Sequence, residues 1–152
     1  MNEISGLFVY GPAEGKDKAM ELKFQDGMLP AIIQETASGK VLMLGYMNRE
    51  AYDETLRSGY VTFFSRRRRK LWTKGETSGH RLRVREIRID CDADTLLIDA
   101  ELTGGGCCHE GFHSCFYRRI TPQGEEPVEE RLFDPGEVYK AADRAAPQTN
   151  ET

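Results

Sequence analysis

Long apolar runs are missing from this chain. Nowhere in its 152 residues do eighteen apolar residues follow one another, so no membrane-spanning helix is expected. A secretory leader is not expected either, since Met1–Gly11 carries Glu3 and lacks a basic segment ahead of a long apolar one. Disulfide density is absent. The four cysteines, in a chain read as cytoplasmic, point to metal ligands or free thiols before disulfides. A domain of this length buries roughly 68–70% of its unfolded surface and needs no staples. No internal repeat is visible, and an apolar content of 39% leaves out the collagenous and wholly disordered classes.

The formal net charge of −4 hides an uneven distribution. Between residues 60 and 90, ten basic residues face three acidic ones, a local charge of +7, and the remainder carries −11. Such a segment is either a solvated charged face or a site for an anionic partner.

The pattern predicts one β-rich α+β domain with one or two short helices. Leu29–Ile33 and Val41–Tyr46 flank the turn-like Ala37-Ser38-Gly39-Lys40 and read as a hairpin. Asn48 is a helix N-cap candidate and Gly59 the stop, with Ala51, Tyr52, Thr55 and Leu56 on one face. Tyr60–Ser65 reads as a strand and Leu71–Lys74 as a short one. From Arg81 to Ile89 the alternation slips, which predicts a bulge near Arg85 or Glu86. Thr95–Leu102 alternates with Leu96, Ile98, Ala100 and Leu102 inward, and Ser114–Ile120 reads as the last strand. Residues 12–27 read as a polar lead-in, and 141–152 as a frayed tail.

Three motifs between residues 90 and 115 bear chemistry: Asp90-Cys91-Asp92-Ala93-Asp94, Cys107-Cys108-His109 and Ser114-Cys115. Thiolates suit zinc and carboxylates suit magnesium, so the interleaving suggests two metals. In an extended segment the three aspartates point one way and Cys91 the other. The eight residues Thr95–Leu102 span about 26 Å as a strand, with Cys91 before them and Cys108 beyond. Zinc needs its sulfurs at about 2.3 Å. Either the strand bends sharply or a second chain completes the site, which leads to the expectation of a homodimer with metal at the interface. Three thiolates leave a fourth position, which a catalytic zinc keeps for water whose pKa it lowers to about 7. His109, beside a proposed ligand, is the candidate proton carrier, or the fourth ligand if the zinc is structural. The plain alternative is that these cysteines are small buried hydrophobes. Cys107 is read that way, and His113 as a surface residue.

Arg66-Arg67-Arg68-Arg69-Lys70 precedes Leu71-Trp72-Thr73-Lys74-Gly75-Glu76-Thr77-Ser78-Gly79-His80. Arginine forks and lysine charges suit phosphate, which marks Arg66, Arg68 and Lys74. The glycine-flanked turn offers N–H groups and hydroxyls, adding Ser78 and His80. Trp72, the single tryptophan, is either a base-stacking face or a core residue.

Taken together, residues from about 27 to 118 resemble phosphoribosyl-AMP cyclohydrolases of histidine biosynthesis. The resemblance rests on Leu29 to Gln34, Val41 to Asn48, Ser65-Arg66 through Trp72, Lys74 to His80, Asp90 to Asp94, and Cys108-His109 through Phe116. It implies hydrolytic opening of the adenine ring of 1-(5-phosphoribosyl)-AMP between N1 and C6. It implies one zinc per subunit on Cys91, Cys108 and Cys115, shared across an intimate homodimer, and magnesium on Asp90, Asp92 and Asp94. It also implies a catalytic domain over 27–120, with a lead-in at 1–26 and an acidic, partly flexible extension at 121–152. Arg67 stands where the family usually has serine, Cys107 where alanine is common and Glu110 where threonine is common. The stretch after Ile120 is too short for the helical pyrophosphohydrolase domain often fused to this activity, so one activity is expected. A cytidine-deaminase-like signature is absent. The alternative of another class is a non-enzymatic zinc module contacting RNA through residues 66–70; the cyclohydrolase reading needs neither nucleic acid nor membrane.

Overall fold

Four strands form the main sheet, in the order β2-β1-β6-β5. The strands are β1 (Leu29–Glu35), β2 (Val41–Met47), β5 (Leu82–Ile89) and β6 (Leu96–Leu102). The computed structural model describes residues 21–138; the start of the expected lead-in and the tail lie outside them. β1 and β2 make the expected hairpin, pairing Leu29 with Met47 and slipping register at Ile33/Gln34. β1 runs parallel to β6, so the chain must leave the hairpin and return before β6 can be laid down.

The detour is α1 (Arg49–Ser58), then a second antiparallel pair, β3 (Thr62–Ser65) and β4 (Lys70–Thr73). Asn48 caps α1 by accepting the Ala51 N–H at 2.8 Å, and Gly59 ends it at φ 79°, where glycine bears no Cβ penalty. The Thr55 hydroxyl, fully buried, is a joint: it donates to Ala51 O at 2.8 Å and accepts from Thr62 N–H at 3.0 Å, tying helix to β3. β5 and β6 pair with a register shift between Val84 and Glu86, where the sequence expects a bulge.

Leu29, Ile33, Leu42, Met47, Val61, Phe63, Leu82, Leu96 and Ile98 are shut off from solvent. Alternation places them: Leu29, Ala31 and Ile33 face one side of β1, and Leu96, Ile98 and Ala100 one side of β6. Gly45 lets Phe63 into this core. A Cβ there would lie 2.5 Å from the Phe63 ring, which Trp72 backs at 5.1 Å between centroids. Gly45→Ala is expected to destabilise the fold by about 1–3 kcal/mol, the usual cost of overpacking. An unaltered thermal midpoint would mean that the ring yields freely.

The last expected strand is shorter than the pattern suggests. Residues 114–117 are irregular and only β7 (Arg118–Thr121) is extended, pairing with β8 (Gly124–Pro127). The Ser114 hydroxyl explains the irregular stretch: it donates to Val41 O at 2.7 Å and accepts the Phe116 N–H at 2.9 Å, closing a local turn that competes with strand pairing. A helical turn over 135–138 ends the described chain. Among the described residues no helix is long and apolar enough to cross a membrane.

Candidate active site

An open cavity of about 780 Å³ lies between β2, the β3–β4 hairpin and the loop after β6, within the size range of small-ligand sites. Cys108, His109 and Cys115 line it together with Arg66, Arg67 and Arg118, and Tyr46 and Trp72 supply aromatic faces. Each group has a local reason to be there.

Arg66 and Arg67 sit on the turn between β3 and β4, held by Arg69 N–H to Ser65 O at 2.7 Å, with Arg69 at φ 56°, while Arg118 opens β7. The Arg66 guanidinium lies 4.1 Å from the centroid of the Tyr46 ring, which fixes a long side chain that would otherwise roam. Trp72 pairs with Phe63 across the hairpin and is half-buried, so it serves both core and cavity.

The thiols come from a loop folded on itself. Cys108 N–H donates to Phe112 O and Gly111 N–H to Cys108 O, both at 3.0 Å. Cys115 N–H donates to Leu42 O at 2.7 Å, which docks the loop on β2. The Cys115 thiol hydrogen-bonds those of both Cys107 and Cys108. The Cys107 thiol pushes Cys115 up to about 12 against the lowering hydrogen bond of Cys108, with burial adding to the rise, and the Cys115 thiol with burial raises Cys108 as well. Both resist ionising, Cys108 beside Cys115 and Cys115 beside Cys107. A divalent cation relieves that resistance, so this pair fits a thiolate-bound zinc. Cys107, read from the sequence as a bystander, is almost wholly buried and does not line the cavity, and its thiol meets that of Cys115.

Cys91 is exposed and belongs to no cluster of three candidate ligands among the described residues. The one such cluster is Asp90, Asp92 and Asp94, with ligand oxygens within 4.8 Å of one another. The segment is not extended, as the alternation argument assumes. Ala93 at φ 62° turns the chain, and Asp90 Oδ1 accepts the N–H groups of Asp94 and Thr95 at 3.0 and 3.1 Å. Curling brings the carboxylates together where a strand would only align them. Asp92 is raised by Asp90, then by Asp94; crowded anions of this kind fit a hard cation such as magnesium.

Four of the six phosphate- and base-binding candidates stand apart from the cavity lining. Arg68 is on the turn but does not line it. Lys74, expected to meet phosphate, is 4% exposed and faces Cys107, Cys115 and His80 instead. Ser78 accepts the His80 N–H at 3.2 Å within its turn. His80 packs edge-on to Phe133 at 4.8 Å. Burial lowers the His80 pKa, with the Lys74 charge adding to it against a backbone hydrogen bond at Gly106. A histidine held neutral contributes stability above its ordinary pKa of about 6.5, lost as pH falls through the lower folded value. Urea unfolding across that interval is expected to show this slope, and His80→Gln to lack part of it. An identical slope in the variant would exclude His80 as the source.

Tyr46, Tyr117 and Arg118 carry no signal in the sequence beyond being aromatic or basic, yet line the cavity. His113 is no free surface residue: Nε2 lies 2.8 Å from Glu35 Oε1, pinning the cysteine loop to the end of β1.

The family model described as phosphoribosyl-AMP cyclohydrolase matches residues 43–117. A phosphoribosyl-AMP cyclohydrolase of Solibacter usitatus is 52% identical over 122 residues, covering 79% of this chain and 97% of that protein. One of Desulforapulum autotrophicum is 54% identical over 125 residues, 80% and 99% of the two chains. One of Methanosarcina mazei is 51% identical over 118 residues, 78% and 95%.

Proposed function

The chain belongs to the phosphoribosyl-AMP cyclohydrolase family, and on that premise we propose that it hydrolyses the N1–C6 bond of the adenine ring of 1-(5-phosphoribosyl)-AMP, in histidine biosynthesis, in the cytoplasm and with bound metal. The observation that carries this reading is a single cavity in which two thiols and an imidazole meet arginines and aromatic rings.

Cys108 and Cys115, with the partner subunit's Cys91, would hold zinc, and Asp90, Asp92 and Asp94 would hold magnesium. Zinc on thiolates supplies a Lewis acid that activates water toward an electron-poor ring carbon. Arg66, Arg67 and Arg118 neutralise the two 5′-phosphates, a task for planar bidentate forks. Tyr46 and Trp72 offer faces for the purine. His109 is exposed at the cavity, next to Cys108. It takes a proton as water adds at C6 and returns one to N1 as the C6–N1 bond breaks. A homodimer is the natural assembly: Cys91 is exposed and joins no cluster of three candidate ligands among the described residues, and Leu44 and Phe116 at the cavity are 42% and 58% exposed, an apolar pair suited to burial against a second copy.

The test is ring opening of 1-(5-phosphoribosyl)-AMP followed by absorbance, with and without a zinc chelator. Turnover that chelation stops and zinc restores is the expected result. No turnover with both metals supplied would overturn the reading. The RNA-module alternative has no support among the relatives, which carry the name of an enzyme.

A further inference from the structure

Residues 128–133 take no part in the cavity, yet they grip the cysteine loop. Val128 N–H donates to Tyr117 O at 2.7 Å, and Leu132 N–H to Gly111 O at 2.7 Å. Arg131 Nε donates to Glu110 O at 2.9 Å. The contact at Gly111 is close: at φ 95°, a Cβ there would lie 2.2 Å from Phe133 O. Only glycine permits this approach.

Arg131 also begins a column. Its guanidinium lies 5.2 Å from the Phe112 centroid. Phe112 stacks on Tyr117 at 3.6 Å with planes 3° apart, and the Arg118 guanidinium lies 5.3 Å from the Tyr117 centroid. The Tyr117 hydroxyl donates to the Glu110 carboxylate. Glu110 is therefore tied twice, by its carbonyl to Arg131 and by its carboxylate to Tyr117. Its chain neighbour is His109, which is itself exposed.

We propose that Arg131 is a positioning residue: it clamps the 108–112 turn through the Glu110 carbonyl and the Phe112–Tyr117 stack, and so fixes where His109 enters the cavity. The proposal rests on the reading of His109 as the proton carrier. The physical need is plain. An exposed histidine on a surface turn samples many directions, and a catalytic group displaced by about 1 Å can lose 10²-fold in rate. Arg131 does not line the cavity, so it acts through the loop, not on the substrate.

The experiment compares Arg131→Ala and Arg131→Lys in the full, zinc-loaded chain. In the alanine variant kcat is expected to fall about tenfold with KM within about twofold, and bound zinc is expected to stay at the wild-type ratio. Amide hydrogen exchange at Cys108 and Gly111, both bonded within the turn, is expected to quicken. Lysine keeps a cation over Phe112 and a donor for Glu110, and is expected to restore most of both readouts. Arg131→Met, which keeps the aliphatic stem on Phe112, replaces alanine should that variant not fold, with the same losses expected. A raised KM with unchanged kcat would make Arg131 a substrate contact and overturn the proposal, as would unaltered exchange at Cys108 and Gly111. Exchange is read without substrate. An inactive wild-type chain with quickened exchange in the variant would sink the functional reading and spare the clamp.

Discussion

Replacing His109 with alanine is expected to lower kcat by about 10²–10⁴, the usual span of general acid–base catalysis, while KM and bound zinc stay near the wild-type values. His109 sits between a thiol of the cavity and the doubly tied Glu110, exposed where the thiols beside it are buried. Exposure is what a proton carrier needs, since it must trade protons with both the reacting atoms and water. The ring opening needs one proton removed from attacking water and one delivered to N1, so a group that does both is missed twice in each turnover. Steady-state kinetics with metal analysis on the same sample decides the matter. Unchanged turnover would remove His109 from the chemistry, and a loss of zinc would recast it as a ligand. The neighbouring Phe112–Tyr117 stack and the 128–133 grip do not involve the imidazole, so the variant is expected to fold.

Cys91→Ser and Cys108→Ser are each expected to be inactive and poor in zinc, and yet to restore each other when unfolded and refolded together. In a site shared between subunits, a mixed dimer holds one complete set, Cys108 and Cys115 from one chain and Cys91 from the other. Random pairing makes half the dimers mixed, with one good site of two, so the mixture should reach about a quarter of wild-type activity. Cys91 is exposed and joins no cluster of three candidate ligands among the described residues. Its loss should cost the fold no more than about 0.5 kcal/mol, which separates loss of metal from loss of structure. Mixed dimers identified by mass spectrometry that carry no activity would return all the ligands to one chain.

Much of the architecture is written locally. Asn48 and Gly59 bound α1 because a side-chain oxygen and a left-handed glycine satisfy the helix ends within a few residues. The bulge in β5 is readable because a period of two cannot put Val84 and Ile87 on one face without an extra residue. The failures are also local competitions. Ser114 bonds the backbone of β2 and bends what looks like a strand. Asp90 gathers two amides and curls what looks extended. His113 reads as a surface residue until Glu35, seventy-eight residues away, is brought to it.

The sequence by itself determined the chemistry of the site: thiols, carboxylates, an imidazole and a basic turn in an order that marks one family. Those residue types are the ones that the proposed zinc, magnesium, proton transfer and phosphate would require, and each is visible one residue at a time. Only the tertiary structure decided which of them meet. It set Arg66 over Tyr46 in one cavity with Cys108, turned Lys74 inward, left Cys91 exposed, and laid residues 128–133 against the cysteine loop. Such meetings depend on the parallel pairing of β1 with β6 and on the detour it forces. No periodicity records that pairing, because contacts between distant segments are selected by the packing of the whole core rather than by any stretch of chain.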